Sequence, residues 1–206
     1  MIVKRPMSRH QYLGDLTGGS LMIVESRILA KLLSTAPNAE EWARQVAQEN
    51  VLRKKSVHTA LRYANLIRMR LEVFHDAKII DAIATGTDKV SVQFLMVAFV
   101  VHSPIVADFM RSMLLEAKQS YKTKMPIDAW SNFFLERVRI YPELGSFAES
   151  TMKKMGQNVI NALVQTGYLS SARLRDLQPV YLDPEVKAWL VQINRTDLVE
   201  LLECNL

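Results

Sequence analysis

The stretch Asp88-Lys-Val-Ser-Val-Gln-Phe-Leu-Met-Val-Ala-Phe-Val-Val-His-Ser-Pro104 decides how the rest of this 206-residue chain is read. Val92, Leu95, Met96, Phe99 and Val100 recur at helical spacing, and most positions between them are apolar too. A helix that is apolar on nearly every side is a buried one. Its most apolar run, Phe94 to Val101, is about one third to one half of the roughly 20 residues needed to cross a bilayer, so the spacing predicts a central core helix. Gly86 breaks the preceding pattern and Asp88 is placed to cap the new helix. Ser103 followed by Pro104 supplies a cap and a first helical residue, opening a long helix towards Lys122 after a tight junction.

Upstream, Met1 to Asp15 is basic and irregular, and residues 1–17 read as an arm ending at Gly18-Gly19-Ser20. Ser20 is placed to cap a first helix over Leu21 to Ser34, in which Ile28, Leu29, Leu32 and Leu33 form one stripe. Asn38 and Glu41 have capping-box spacing before Trp42 and Val46, which predicts a short second helix. A third runs from about Ser56 to Val73, with Val57, Ala60, Leu61, Ala64, Ile67 and Leu71 inward. Downstream, Pro126 opens a helix carrying Trp130, Phe133, Phe134 and Val138, which Tyr141, Pro142 and Gly145 stop. Ser150 is placed to cap the next, with Met152, Met155, Val159, Ala162 and Leu163 inward. Gly167 ends it, Leu177 to Leu182 reads as an extended piece, and Asp183-Pro184 starts a closing helix. The fold class is all-α: a single domain, 1–206, built as an irregular helical bundle with a small wing or hairpin in a winged-helix-like subregion, 150–206.

Composition agrees with a folded, basic protein. Hydrophobic residues make up 49 % and charged residues 23 %, and the net charge is +5. The charge is unevenly placed: Arg53 to Arg70 contains Arg53, Lys54, Lys55, Arg62, Arg68 and Arg70 and no acid, while Asp183 to Leu206 is mainly acidic. The lone cysteine, Cys204, excludes an intramolecular disulfide and a cysteine-based zinc site and suits a reducing cytoplasm. The start, Met-Ile-Val-Lys-Arg-Pro, lacks the apolar core of a secretory signal.

Cations on one helical face can neutralise successive phosphates of a nucleic acid. Three segments qualify. The first is the third helix and its approach, with Arg53, Lys54, Lys55, His58, Arg62 and Arg68. The second is the outer face of the helix after Ser150, where Lys153 and Lys154 can hold phosphates and Gln157, Asn158 and Asn161 can read base edges. The third is the arm, with Lys4, Arg5 and Arg9. An ordinary solvated helix face would use the same residue types, and a frayed terminus the same arm. For chemistry there is little to find. His10, His58, His75 and His102 show no metal-ligand spacing, and there is no Walker loop, Gly-x-Gly-x-x-Gly or Gly-x-Ser-x-Gly motif. No catalytic residue, metal or cofactor is expected.

Four segments in order carry a resemblance. They are Gly18-Gly-Ser-Leu-Met-Ile-Val-Glu-Ser-Arg27; Trp42 through Glu49-Asn50 to Lys54-Lys55-Ser56 with Arg62, Arg68 and Arg70; Ser150-Thr-Met-Lys-Lys154 with Gly167-Tyr-Leu169; and Leu177-Gln-Pro-Val-Tyr-Leu182. Together they resemble the BrxA family of bacterial BREX phage-defence systems. The resemblance implies a NusB-like helical fold and a small cytoplasmic DNA-binding accessory without catalytic activity. Its implied partners are double-stranded DNA and other BREX proteins (methyltransferase, ATPase or phosphatase-like components), with no membrane. Two other readings stay open: an adaptor that holds larger subunits together, and RNA binding in the manner of NusB.

Overall fold

The structure, a computed structural model, describes residues 12–203. Among the described residues ten fully placed α-helices follow one another: α1 (Ile23–Leu33), α2 (Ala39–Ala43), α3 (Val57–Leu71), α4 (Ala77–Thr85), α5 (Asp88–His102), α6 (Pro104–Ser120), α7 (Ala129–Ile140), α8 (Glu149–Gln165), α9 (Pro184–Gln192) and α10 (Thr196–Leu202). A π-helical turn, Arg44–Gln48, continues α2, and 3-10 turns follow α3 and α7. No named strand occurs among the described residues, so the all-α expectation holds.

Helix α5 is the centre. Val90, Phe94 and every residue from Leu95 to Val100 are buried, and the helix packs on α1, α3, α4, α6 and α9. Phe94 meets Phe74 and Trp189 edge-on, with centroids 5.9 and 5.8 Å apart. Emptying such a site by a Phe to Ala change costs about 3 to 5 kcal/mol, because transfer and cavity terms add. Pro104 begins α6 as its first residue, and the chain turns through 106° between the two helices. No single helix among the described residues is long and apolar enough to cross a membrane.

The caps follow the sequence in part. Asn38 and Glu41 form the full reciprocal capping box. Ser56 caps α3 through the Thr59 amide, and Asp183 caps α9. Elsewhere the boundary moves by a residue or more. Thr87, not Asp88, caps α5, and α8 starts at Glu149 with Ser150 already inside it. Ser20 does not cap α1. That helix begins after Met22 in a left-handed conformation, φ 49°, and the Ser20 hydroxyl donates to Gln165 Oε1 instead. The buried Arg70 guanidinium holds the Gly-Gly-Ser turn from beneath, donating to the carbonyls of Gly19 and Ser20. Burial pushes its pKa down to about 10, still far above neutrality.

The expectation of an irregular arm over 1–17 is corrected from Tyr12 onwards. Tyr12, Leu13 and Leu16 are buried, and the Tyr12 hydroxyl donates to Asp108 Oδ2 at 3.0 Å while its ring lies 4.8 Å from that of Tyr141. The Tyr12, Leu13 and Leu16 pattern is helical, but too short to outweigh the basic residues around it. Lys4, Arg5 and Arg9 lie outside the described residues.

Candidate nucleic-acid interface

The first basic segment is a helix, a tight turn and a second helix. After the π turn, Asn50 at φ 48° folds the chain back, its side chain donating to the Lys54 carbonyl and accepting from the Lys54 amide. Arg53 also adopts the left-handed conformation, φ 50°. This clamp delivers the chain into the start of α3, where Lys55, His58 and Arg62 are exposed. There is no acid in the first turn of α3, so the amides and dipole at this end remain attractive to an anion.

The six cations of Arg53 to Arg70 divide by role. Arg53, Lys55 and Arg62 project into solvent. Lys54 turns inward: its Nζ lies 2.5 Å from Glu25 Oε1 and 4.8 Å above the Tyr63 ring, over which Arg62 also lies at 5.2 Å. Arg68 pairs with Glu72 at 3.1 Å and lies over Trp42, and Arg70 is the buried strut under Gly19 and Ser20. The basic face of the sequence thus divides into exposed Arg53, Lys55, Arg62 and Arg68, partly buried Lys54 and buried Arg70.

The second segment is helix α7, a turn, and helix α8. Trp130 anchors the pair, its indole N–H donating to the Met152 carbonyl at 3.0 Å. Gly156 lets the helices touch, since a Cβ there would stand 2.3 Å from Trp130 Cδ1. On the solvent-facing side of α8, Lys153, Lys154 and Gln157 are exposed and Asn161 is half-buried. Lys153 pairs with Glu149 at 2.6 Å, but both side chains are about 70 % exposed and water screens them. Asn158 is a correction. It is buried, and its amide donates to the Leu16 carbonyl at 2.6 Å, because the segment around Leu16 covers that face of α8.

Beside α8 lies a ribbon whose hairpin falls where the sequence placed a wing, within 150–206, and whose third piece, near Lys124, the reading from sequence missed. Leu169 bridges Leu177, and Asp176 bridges Lys124, both antiparallel. Ser170 N–H donates to the Asp176 carbonyl, Gln178 to Tyr168, Leu177 to Thr123, and Met125 to Arg175. Three short extended pieces, 123–125, 168–170 and 176–178, therefore lie side by side, and the turn 171–175 forms their tip. From α6 onwards the order is helix, edge piece, helix, helix, hairpin. It draws in Thr123 to Met125, which lie before the 150–206 subregion. The tip carries Arg173 and Arg175. Arg175, at φ 55°, donates from Nη1 to the carbonyls of Pro126 and Ile127 and from Nε to Ala172, and burial lowers its pKa. A cleft of about 450 Å³ separates α8 from the tip, lined by Lys153 and Gln157 on one wall and Ala172 and Arg175 on the other, over Trp130 and Ile160.

Among the described residues, no group of three or more His, Cys, Asp or Glu stands close enough to hold a metal ion. His58 and His75 are exposed and His102 half-buried.

What this architecture defines is a small all-α protein with exposed cations on α3 and α8 and a short bridged ribbon beside α8. A family model for BrxA matches residues 10–194, and the chain belongs to the BrxA family. It is 40 % identical over 192 residues to "BREX protein BrxA" of Escherichia coli strain HS, covering 93 % of this chain and 90 % of the relative. A second relative of that name, from Paramagnetospirillum magneticum strain AMB-1, is 26 % identical over 97 % of this chain and 100 % of its own length. The crystal structure of an uncharacterized protein from Magnetospirillum magneticum superposes with a TM-score of 0.85 at 25 % identity, over 95 % of this chain and all of that one.

Proposed function

We propose that this protein is a non-enzymatic, double-stranded-DNA-binding component of a BREX phage-defence system that works in the cytoplasm beside the system's other proteins. The relatives' names support the system. The observation that carries the DNA reading is α8: Lys153, Lys154 and Gln157 lie side by side on its exposed face, in a helix flanked by a wing. A helix of this kind fits the major groove of B-DNA, where lysines meet phosphates and an amide can meet an adenine edge. Lys55, His58, Arg62 and Arg53 form a second phosphate-facing surface, and Lys4, Arg5 and Arg9 add a third set of cations. The test is binding of the purified chain to labelled duplex DNA at two salt concentrations, with single-stranded DNA and RNA as competitors. The expected result is duplex-preferring binding that weakens steeply with salt. A preference for RNA would instead support the NusB-like reading.

The adaptor reading draws on a different observation. Tyr121 is 92 % exposed, and Leu135 and Ile140 of α7 are also largely exposed, which suits contact with a protein. Salt-insensitive capture of another BREX subunit, without duplex binding at low salt, would favour it.

A further inference from the structure

We infer that the wing, residues 171–175, reads the minor groove of bound duplex through Arg173 and Leu174, while the cleft between wing and α8 seats the sugar–phosphate strand dividing the two grooves. The inference rests on the DNA reading above and adds to it a second groove, a residue set and a base-composition preference.

The geometry runs as one chain of constraints. If α8 lies in the major groove, the strand bounding that groove must pass on the flank where the ribbon sits. The opening between α8 and the ribbon's tip is the cleft of about 450 Å³. Its walls suit a phosphodiester: Lys153 and Gln157 on the helix side, Arg175 on the wing side. Across it the tip reaches the adjacent groove. Ser171 to Arg175 contains no acid, Arg173 is exposed, and Leu174 is 58 % exposed. An arginine beside an exposed aliphatic residue is the pairing that a narrow, strongly negative A·T minor groove attracts.

The tip is also held in shape before any ligand arrives. Arg175 ties it to Pro126 and Ile127, the Leu174 amide donates to the Ser171 hydroxyl at 2.9 Å, and the Ser170 hydroxyl donates to Asp176. Asp176, the nearest acid, is also paired with Lys124 at 3.3 Å, which offsets its repulsion of the strand. A preformed tip loses little conformational freedom on binding.

The experiment uses the full chain, A·T-rich and G·C-rich duplexes of equal length, and the minor-groove ligand netropsin. Wild type is expected to prefer the A·T-rich duplex and to be displaced from it by netropsin. R173A, at an exposed site that leaves folding intact by circular dichroism, is expected to weaken A·T-rich binding roughly five- to tenfold and G·C-rich binding less than about twofold. R173K is expected to restore charge but only part of the preference, because the ammonium is more strongly hydrated. An equal loss on both duplexes, fully restored by R173K and insensitive to netropsin, would make Arg173 a backbone contact and overturn the inference while leaving DNA binding intact. If wild type binds no duplex even at low salt, the proposed function fails and the inference falls with it.

Discussion

The ammonium of Lys54 lies 2.5 Å from the carboxylate of Glu25, with both side chains about four-fifths buried. The most prominent basic pair of the sequence, Lys54-Lys55, is thus split between an inward ion pair and an outward cation. Replacing Glu25 by Gln releases Lys54 towards the surface formed by Lys55 and Arg62. E25Q is expected to bind duplex DNA a few-fold more tightly at low salt, measured by fluorescence anisotropy.

The same pair makes stability pH-dependent. Burial pushes the Glu25 carboxyl up, but the hydrogen bond from Lys54, helped by the residue's own backbone and the Lys54 charge, outweighs it and leaves the pKa below its ordinary value. A carboxyl depressed by folding contributes stability above its unfolded pKa, about 4.3, and that contribution is lost as pH falls through the folded value. The difference in Tm between wild type and E25Q is therefore expected at neutral pH and should vanish on acidification below that range, as read by thermal scans.

Lys55 and Arg62 are assigned to phosphates directly. The double variant K55A/R62A is expected to reduce the slope of log K against log salt by roughly two, at about 0.9 per phosphate contact, on any duplex sequence. An unchanged slope in a folded double variant would remove α3 from the interface.

Gln157 and Asn158 are neighbours with opposite tasks. N158A strands the buried Leu16 carbonyl and is expected to lower unfolding stability by about 1 to 3 kcal/mol in urea, with duplex binding retained by the folded fraction. Q157A is expected to leave stability within about 0.5 kcal/mol and to weaken duplex binding.

Gly156 sets the spacing of α7 and α8. G156A forces its methyl against the Trp130 ring and is expected to cost about 1 to 3 kcal/mol. Because the ring cannot move without dragging α7, the variant should also weaken DNA binding more than its exposed neighbour change Q157A does.

The sequence by itself determined the helices, the buried centre and the family. Periodicity reports which face of a local segment is apolar, and α5 is apolar enough that no arrangement leaves it outside. Capping chemistry is equally local, so Asn38, Ser56 and Asp183 were legible, while Ser20 was not, because its partner Gln165 lies 145 residues away. Tertiary structure alone decided which polar residues face water. Asn158 has the same spacing signal as Gln157, but Leu16 covers it. Arg70 and Arg62 carry the same charge, but only one sits under the Gly-Gly-Ser turn. The hairpin after Gly167 was legible in outline, but its third piece, 123–125, was not, being too short for a period-two pattern and lying before α7. The two hydrogen bonds that tie that piece in, Leu177 to Thr123 and Met125 to Arg175, join positions about fifty residues apart, a pairing that only the packing of α7 and α8 between them brings about.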